Sequence, residues 1–395
     1  MKIIKTCNIA AAVAASALFA CGAAFAGSKA DIHVMTQNQY LGADLGPIIA
    51  AGTPEAVNAA MIQALIDVSN NNYPERVQAL AESILDKKPH LVALQEVFSF
   101  SCLDPYGTGL CELFPNAFND HLALTLAALG GQYTVAAKNQ NLTLAPPVLP
   151  SPLPGVPVFL NQAAPPVFIQ VIDRDVVLAR ADVDTTPVGF SCQKPSADGC
   201  NYNAVAPVSI AGIPINIERG FVGVDATIGG KDYRFINTHL EVKLLGGEPQ
   251  SAFLQPSQAT ELWLAILDQI VFDPTRRLLV AGDFNSSPAD ELPGGVPTAY
   301  QQLTNGTLIN GTPLPFGLTD MWNLRPGKPP GLTCCELADL SNAPSVHDER
   351  VDIVFAYPAP AGRVKANVLD TDVGDKTLSG LWPSDHASVS VELTY

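Results

Sequence analysis

Eight polar residues of this chain stand beside strand-like segments, where side chains from distant parts of a sheet protein can meet. They are Asn38, Glu96, His239, Asp283, Asn285, Asp352, Asp385 and His386. Carboxylate and amide oxygens are ligands that suit Mg²⁺, Mn²⁺ or Ca²⁺, and imidazoles beside them indicate proton transfer. Any one of these residues alone is typical of a turn or a cap. Together they predict one site that uses a hard divalent cation.

The segments that must position these residues alternate between strand and helix patterns. Strands are predicted over residues 31–38, 91–94, 233–237, 278–281, 351–355 and 387–393. One amphipathic helix is predicted from Pro74 to the ending at 87–89, and another begins at Ser257. Because the polar residues stand close to these strands, we expect the strand ends to build the site.

Composition and charge exclude several classes of protein. The 395 residues are 47% hydrophobic and only 15% charged, whereas roughly 25% is usual for soluble proteins. A disordered acidic chain is therefore excluded. The chain has 22 Lys+Arg against 38 Asp+Glu and a net charge of -16, so charge alone does not favour a groove that tracks a nucleic-acid backbone. A phosphate substrate would need the charge of a cation.

The first 26 residues predict a secretory signal peptide. Lys2 and Lys5 precede an apolar run over 9–20, and the small residues Ala24 and Ala26 favour cleavage before Gly27. Removing the two lysines changes the net charge from -16 to -18. A secreted or periplasmic location is favoured over lipoprotein anchoring at Cys21, because Phe19 is uncommon in a lipobox.

Six cysteines follow the predicted signal peptide, and an even number in an oxidising compartment predicts disulfides. Sequence-local pairing predicts the bridges Cys102–Cys111 and Cys192–Cys200. The adjacent Cys334 and Cys335 are then either bonded to each other or paired elsewhere. A zinc site of Cys334, Cys335 and His347 is disfavoured, because it lacks the usual C-x-x-C spacing.

One stretch departs from the alternation of strands and helices. Residues 139–172 hold eight prolines and no charged side chain, which excludes a regular helix or a central strand and predicts an inserted excursion. A loop that lies over the fold is favoured over an apolar lip that touches lipid or a hydrophobic substrate. No repeat or linker divides the remainder, so residues 27–395 are expected to form one domain.

Six short motifs, in sequence order, resemble those of the endonuclease/exonuclease/phosphatase superfamily. They are Thr36-Gln37-Asn38, Leu94-Gln95-Glu96-Val97, Asn237-Thr238-His239-Leu240, Gly282-Asp283-Phe284-Asn285, Arg350-Val351-Asp352 and Ser384-Asp385-His386. The similarity runs from residue 31 to the C-terminus. It implies an α/β fold, a four-layer sandwich of two mixed β-sheets flanked by helices, as in deoxyribonuclease I.

The resemblance also implies the ligands of a catalytic metal ion. Glu96 is the implied principal ligand, with Asn38 and Asp385 beside it. The implied cofactor is Mg²⁺, with Mn²⁺ and Ca²⁺ as alternatives. The metal would offset the charge of a phosphate group.

The same resemblance assigns catalytic roles to five side chains. His386 is the implied general base, or the equivalent electrostatic group acting on water, and Asp352 orients it and favours its imidazolium form. Asp283 and Asn285 position the attacking water and a nonbridging phosphate oxygen. His239 donates to the phosphate or to the leaving oxygen as charge develops there.

The implied function is that of a secreted, divalent-metal-dependent phosphodiester hydrolase, with a nuclease as one form. A sphingomyelinase-like lipid phosphodiesterase is the first alternative, and a noncatalytic binding protein on the same scaffold is the second. The substrate would be a nucleic acid or a phospholipid headgroup, with peripheral membrane contact in the lipid case. No protein partner is implied, and a monomer is expected.

Several other residues and regions bear on specificity. Arg180, Arg219 and Lys243 are interpreted as surface cations in preference to phosphate contacts. Asp320, Trp322 and Thr333 are interpreted as structural. Specificity is expected in three regions that differ from compact family members: the cysteine-bearing stretch after Glu96, residues 139–172 and residues 245–257.

Overall fold

A computed structural model describes residues 31–144, 155–161, 163–210, 213–243, 252–327 and 329–395 of this chain. The predicted signal peptide lies outside the described residues. So do the central part of the predicted insertion and residues 245–251 of the predicted specificity loop. Predictions that concern those residues stay predictions.

The described residues form a mixture of strands and helices, with a long run of strands between the fourth and fifth described helices. The strands, in chain order, are β1 (Ile32–Asn38), β2 (Leu91–Gln95), β3 (Ser99–Leu103), β4 (Tyr133–Leu144), β5 (Val156–Val158), β6 (Val167–Arg180), β7 (Thr185–Pro187), β8 (Pro195–Ser196), β9 (Gly199–Asn201), β10 (Ala206–Ile210), β11 (Ile213–Ile217), β12 (Gly220–Ile228), β13 (Lys231–His239), β14 (Arg277–Asp283), β15 (Thr319–Asp320), β16 (Asp352–Tyr357), β17 (Val364–Leu369) and β18 (Ser388–Leu393). The helices are α1 (Gly46–Ala50), α2 (Pro54–Asn70), α3 (Tyr73–Lys87), α4 (His121–Ala128), α5 (Leu254–Phe272) and α6 (Ala299–Asn305).

Two mixed sheets contain most of these strands. The first sheet has the order β17-β18-β1-β2-β6-β3, with β4 and β5 also paired to β6. In it β1 is parallel to β2 and antiparallel to β18. The second sheet has the order β15-β16-β14-β13-β12-β9-β8, with β7 paired to β12, and its parallel pair is β13 with β14. The strands β10 and β11 form a separate hairpin.

The two sheets pack face to face between two layers of helices. Val34 and Leu91 of the first sheet share a buried core with Phe235 and Leu279 of the second. On the outer face of the first sheet, α3 and α4 pack in a core that includes Ile84. On the outer face of the second sheet, α5 and α6 cover a core that includes Trp263 and Leu303. The predicted four-layer sandwich of two mixed sheets flanked by helices is confirmed.

The predicted excursion over residues 139–172 is wrong at both ends. Residues 139–144 continue β4, and residues 167–172 begin β6, which pairs with β2, β3, β4 and β5. All eight prolines lie at 146–166, between these two strands. The flanking residues have no charge, yet Asn139 and Asn141 are buried and hydrogen-bonded inside the fold. At both ends of this stretch, the absence of charged residues therefore belongs to strands inside the fold and not to a loop.

The described part of this stretch between β4 and β6 packs partly against the sheet. β5 pairs with β6, and Val158 is fully buried, whereas Leu160 is 49% exposed. No described helix is both long enough and apolar enough to span a membrane.

The local disulfides Cys102–Cys111 and Cys192–Cys200 are present as predicted. The alternative left open for the adjacent pair is also decided, because Cys334 and Cys335 are bonded to each other. The imidazole beside these two sulfurs belongs to His386 and not to His347.

Candidate active site

The eight predicted polar residues lie at or next to strand ends at one edge of the sandwich. Asn38 ends β1 and Glu96 directly follows β2, its parallel neighbour. His239 ends β13 and Asp283 ends β14, and these two residues are register partners in the second parallel pair. Asp352 begins the antiparallel strand β16 opposite Asp283. Strand direction therefore brings residues that are far apart in sequence to one edge.

Contacts connect the carboxylate of Glu96 to the imidazole of His386 through two intervening side chains. Asn38 Nδ2 lies 3.4 Å from Glu96 Oε1 and donates to Asp283 Oδ2 at 3.1 Å. Asp283 Oδ2 lies 3.7 Å from His386 Nε2. Residues from β1, β14 and the turn before β18 thus meet in one cluster.

The backbone is in an unusual conformation at the functional positions. Glu96 and Asn285, neither of which is glycine, adopt φ angles of 54° and 48°, in the left-handed region that non-glycine residues seldom occupy. Gly282 precedes Asp283 with φ 153°, and a Cβ there would lie 1.9 Å from the Thr238 carbonyl oxygen. Glycine is therefore required for β13 and β14 to approach at this end.

His386 and Asp352 form a buried pair. Asp352 Oδ2 accepts from His386 Nδ1 at 2.8 Å, and both side chains are nearly inaccessible. Burial lowers the pKa of His386, but the carboxylates of Asp352, Asp283 and Asp385 more than offset that effect and raise the pKa well above its usual value. Thr333 Oγ1 accepts from the backbone N–H of Asp352 and so holds it in place.

His239 has the opposite kind of partner. Arg219 Nη1 lies 3.2 Å from His239 Nδ1, and a guanidinium can only donate. Nδ1 is therefore the acceptor, and Nε2 carries the proton and faces Asp283 Oδ2 at 3.4 Å. Burial and the charges of Arg219 and His386 hold the pKa of His239 well below its usual value.

Arg219 is mostly enclosed by other residues, so its interpretation as a solvated surface cation is wrong. Its side chain is 13% exposed and lies 3.4 Å from both Asp173 Oδ2 and Glu241 Oε1. By contrast, Arg180 pairs with Asp182 and Lys243 pairs with Asp290 and Glu349, where water reaches them. Arg219 directly precedes Gly220 of β12, and Gly220 lies opposite His239 of β13. Only the strand pairing, and not the sequence alone, shows that Arg219 lies beside His239.

Two further buried carboxylates were missed by the sequence interpretation. Asp173 and Asp175 lie in β6 directly after the predicted excursion over residues 139–172, and both accept from Asn141. Burial raises the pKa of Asp173 to about 6, and burial together with Asp173 raises the pKa of Asp175 well above its usual value. Asp173 and Asp175 are two positions apart, so in a strand they lie on the same face. This spacing is the sequence signal that would have indicated them.

Arg76 is another positioning residue that the sequence interpretation missed. Its guanidinium is fully buried and donates to the backbone carbonyls of Asn71, Gln39, Tyr40 and Pro383. These contacts tie the loop after β1 to the turn that carries Asp385 and His386. The helix α3 therefore fixes the relative position of two parts of the site.

Two of the predicted ligands, Glu96 and Asp385, carry carboxylate oxygens of the kind that a hard divalent cation prefers. Glu96 and Asp385 are half-buried. Burial and the nearby charge of Asp385 raise the pKa of Glu96, and burial raises that of Asp385, where Asp283 and Asp352 act in the same direction. A divalent cation would relieve this repulsion between oxygen donors.

Asn38 is oriented differently from a ligand. Its Oδ1 accepts from the Tyr40 backbone N–H at 2.9 Å, and its Nδ2 faces Glu96 and Asp283. In this structure Asn38 holds the two carboxylates in place, and its predicted role as a ligand stays a prediction. Asn285 in turn donates to the Leu240 carbonyl and lies 3.3 Å from His239 Nε2.

The arrangement gathers an amide and two imidazoles around the carboxylate of Asp283. Asp283 Oδ2 is shared among Asn38, His239 and His386, and burial raises the pKa of Asp283 to about 6. A carboxylate with such a pKa is well suited to accept a proton near neutral pH. The site therefore combines a group that can accept a proton with two imidazoles in different electrostatic surroundings.

Comparisons with known proteins matched structures but not sequences. No family model and no curated protein matches this chain. An endonuclease/exonuclease/phosphatase family protein from Leptotrichia buccalis is 14% identical, with 92% of this chain and 100% of that chain covered and a TM-score of 0.48. An endonuclease/exonuclease/phosphatase from Beutenbergia cavernae is 19% identical over 93% of this chain and 72% of that chain, with a TM-score of 0.46. Truncated TDP2 of Caenorhabditis elegans is 14% identical over 92% and 97%, with a TM-score of 0.46.

Proposed function

We propose that this chain is a divalent-metal-dependent phosphodiester hydrolase of the endonuclease/exonuclease/phosphatase superfamily. One observation carries the proposal: the residues of the six motifs, from Asn38 to His386, meet in one contact network. The matched solved structures include two that bear the same family name. A noncatalytic scaffold would have no need to retain both buried histidines and their charged partners.

The chemistry follows from the partners of each side chain. Glu96 and Asp385 would hold a divalent cation, which would supply positive charge next to a phosphate group. Asp283 accepts the proton of the attacking water, since burial raises its pKa to about 6. His386, backed by Asp352, carries positive charge near neutral pH and stabilises the developing phosphate charge. His239 offers its Nε2 proton to a phosphate oxygen or to the leaving oxygen.

The reaction breaks a phosphorus–oxygen bond by direct attack of water. In the described part of the candidate active site, no serine hydroxyl hydrogen-bonds to the imidazole of His239 or His386, and the cysteine beside His386 is bonded in a disulfide. Ser384 Oγ donates to the Asn38 carbonyl oxygen at 2.8 Å and so has a structural partner. No covalent enzyme intermediate is required.

The test is a hydrolysis assay on DNA, RNA, sphingomyelin and an inositol phosphate, each with Mg²⁺ and then with excess EDTA. We expect at least one substrate to be cleaved with Mg²⁺ and none with EDTA. The variant Glu96→Gln should reduce kcat/KM by about 10²–10⁴-fold with an unchanged circular dichroism spectrum. Undiminished turnover in EDTA would refute the metal-dependent mechanism. Cleavage of sphingomyelin alone would favour the lipid phosphodiesterase over a nuclease.

We also propose that the protein is exported after removal of residues 1–26. The support is the signal-like N-terminus and the three disulfides of the mature segment. Mass spectrometry of protein expressed with its own N-terminus checks this, and a chain that retains Met1 inside the cell would contradict it.

A further inference from the structure

The vicinal cysteine pair lies directly against the candidate active site. Cys335 Sγ is 3.7 Å from His386 Nε2, and the Cys334 backbone forms a β-bridge with His386. One ligand atom from each of Cys334, Cys335 and His386 lies within 4.8 Å of the other two. Hydrolysis as proposed above uses neither sulfur. Three atoms of the kinds that bind thiophilic metals are therefore grouped here, and two of them, the sulfurs, have no assigned role.

The ring of His386 is already oriented as a metal ligand would be. Asp352 engages Nδ1 at 2.8 Å and leaves Nε2 to face the sulfur. A carboxylate behind a ligating imidazole is the usual outer partner in zinc sites. Zinc bond lengths of about 2.3 Å to sulfur and about 2.0 Å to nitrogen place these two ligand atoms about 3.5 Å apart in a tetrahedral site, close to the observed 3.7 Å.

We propose that reduction of the Cys334–Cys335 disulfide opens a binding site for a thiophilic divalent cation, of which zinc is the representative. Both sulfurs and His386 Nε2 are the ligands. A dithiol reductant supplies two electrons, is itself oxidised to a disulfide, and leaves two thiols on the protein. The cation then displaces the thiol protons into solvent. Both cysteines are partly exposed, so a small reductant reaches them.

Occupation of this site has a consequence for the hydrolytic activity. His386 Nε2 would be bound to the thiophilic cation and unable to act on water or phosphate, while Mg²⁺ binds oxygen ligands and leaves the sulfurs free. Reduction together with zinc is therefore expected to stop turnover. This consequence rests on the proposed function, whereas binding of the cation does not.

The experiment uses the full chain with Co²⁺ as a spectroscopic probe of thiolate ligation. The protein is reduced with a phosphine, which takes up the oxygen of one water as it is oxidised and leaves two thiols. Reduced wild-type protein should bind one Co²⁺ and show the near-ultraviolet charge-transfer absorption of thiolate ligands, and oxidised protein should not. The variant Asp352→Asn should weaken this binding by about 10- to 100-fold.

The matched control is Cys334→Ser/Cys335→Ser, which retains the four cysteines of the other two disulfides. Equal Co²⁺ absorption in this reduced variant, or none in the reduced wild type, would overturn the proposal. If the double variant does not fold, the single variant Cys335→Ser gives the same test. It keeps one thiolate, so its Co²⁺ absorption should be weaker than that of the wild type. In the hydrolysis assay, zinc should inhibit the reduced wild type in excess Mg²⁺ but not the double variant. Absorption without any hydrolysis would support the cation site and reject the proposed function.

Discussion

The two histidines of the candidate active site lie in opposite electrostatic surroundings, although both are buried beside the same carboxylate. Asp283 Oδ2 is 3.4 Å from His239 Nε2 and 3.7 Å from His386 Nε2. The far side of His386 meets the Asp352 carboxylate, and the far side of His239 meets the Arg219 guanidinium. One residue type is thus given two charge states by its partners.

This difference assigns separate work to the two halves of the site. The half formed by β16 and the turn before β18 favours a protonated imidazole, since carboxylates raise the pKa of His386 against the effect of burial. The half formed by β12 and β13 keeps a neutral imidazole, since burial and Arg219 lower the pKa of His239. A site with both can hold negative charge on one side and donate a defined proton on the other.

The largest effect should come from the carboxylate-backed half. We expect His386→Ala to reduce kcat by about 10²–10⁴-fold, because the group that acts on water and phosphate is removed. Steady-state kinetics at saturating Mg²⁺ measures this. The matched control is His33→Gln, a buried histidine of β1 that lies at the other end of that strand from Asn38. An equal loss in both variants would show that the effect is structural.

A smaller effect should come from the guanidinium-backed half. We expect Arg219→Met to reduce kcat/KM by about 10- to 100-fold, because His239 loses the donor that fixes its tautomer. Arg219→Lys, which retains the charge but not the planar fork, should recover part of the loss.

The pH profile separates this positioning role from a merely structural one. Removal of the Arg219 charge raises the pKa of His239 toward its ordinary value of about 6.5. Protonated His239 would then pair with Asp283 and withdraw the acceptor that positions water. As the pH falls, the activity of Arg219→Met should therefore begin to decline at a higher pH than the activity of the wild type. A profile that keeps the wild-type shape would contradict the comparison between the two histidines.

The smallest effect on activity should come from a histidine outside the site, which instead affects stability. Burial lowers the pKa of His33 to about 4. Below about pH 6.5 the unfolded chain binds a proton there that the folded chain does not bind. The free energy of unfolding therefore decreases as the pH is lowered, by up to about 1.4 kcal/mol per pH unit. The variant His33→Gln should remove this slope between pH 6.5 and about 4, with kcat unchanged. Urea unfolding at several pH values measures it, and parallel slopes would refute the assignment.

The strands next to the motifs were predicted well because they are short, apolar and buried on both faces. The predicted 278–281 and 91–94 became Arg277–Asp283 and Leu91–Gln95. The helix predicted from Ser257 begins earlier, at Leu254. The helix α2 and the long strands β4 and β6 were not predicted. In the two strands, polar residues such as Asn139 of β4 and Asp175 of β6 interrupt the hydrophobic pattern. Those side chains are polar because they face the buried network around Arg219.

The sequence by itself determined which residues could carry the chemistry, since carboxylates, amides and imidazoles at strand ends define a small set of reactions. Only the tertiary structure decided how each of them is charged and oriented. Asp352, placed by strand pairing, raises the pKa of His386 against the effect of burial. Burial together with Arg219, which directly precedes β12, lowers the pKa of His239. The amide of Asn38 likewise turns its nitrogen toward the carboxylates. Electrostatic interactions in a buried site depend on distances of a few ångströms between groups remote in sequence, and only the folded chain sets those distances.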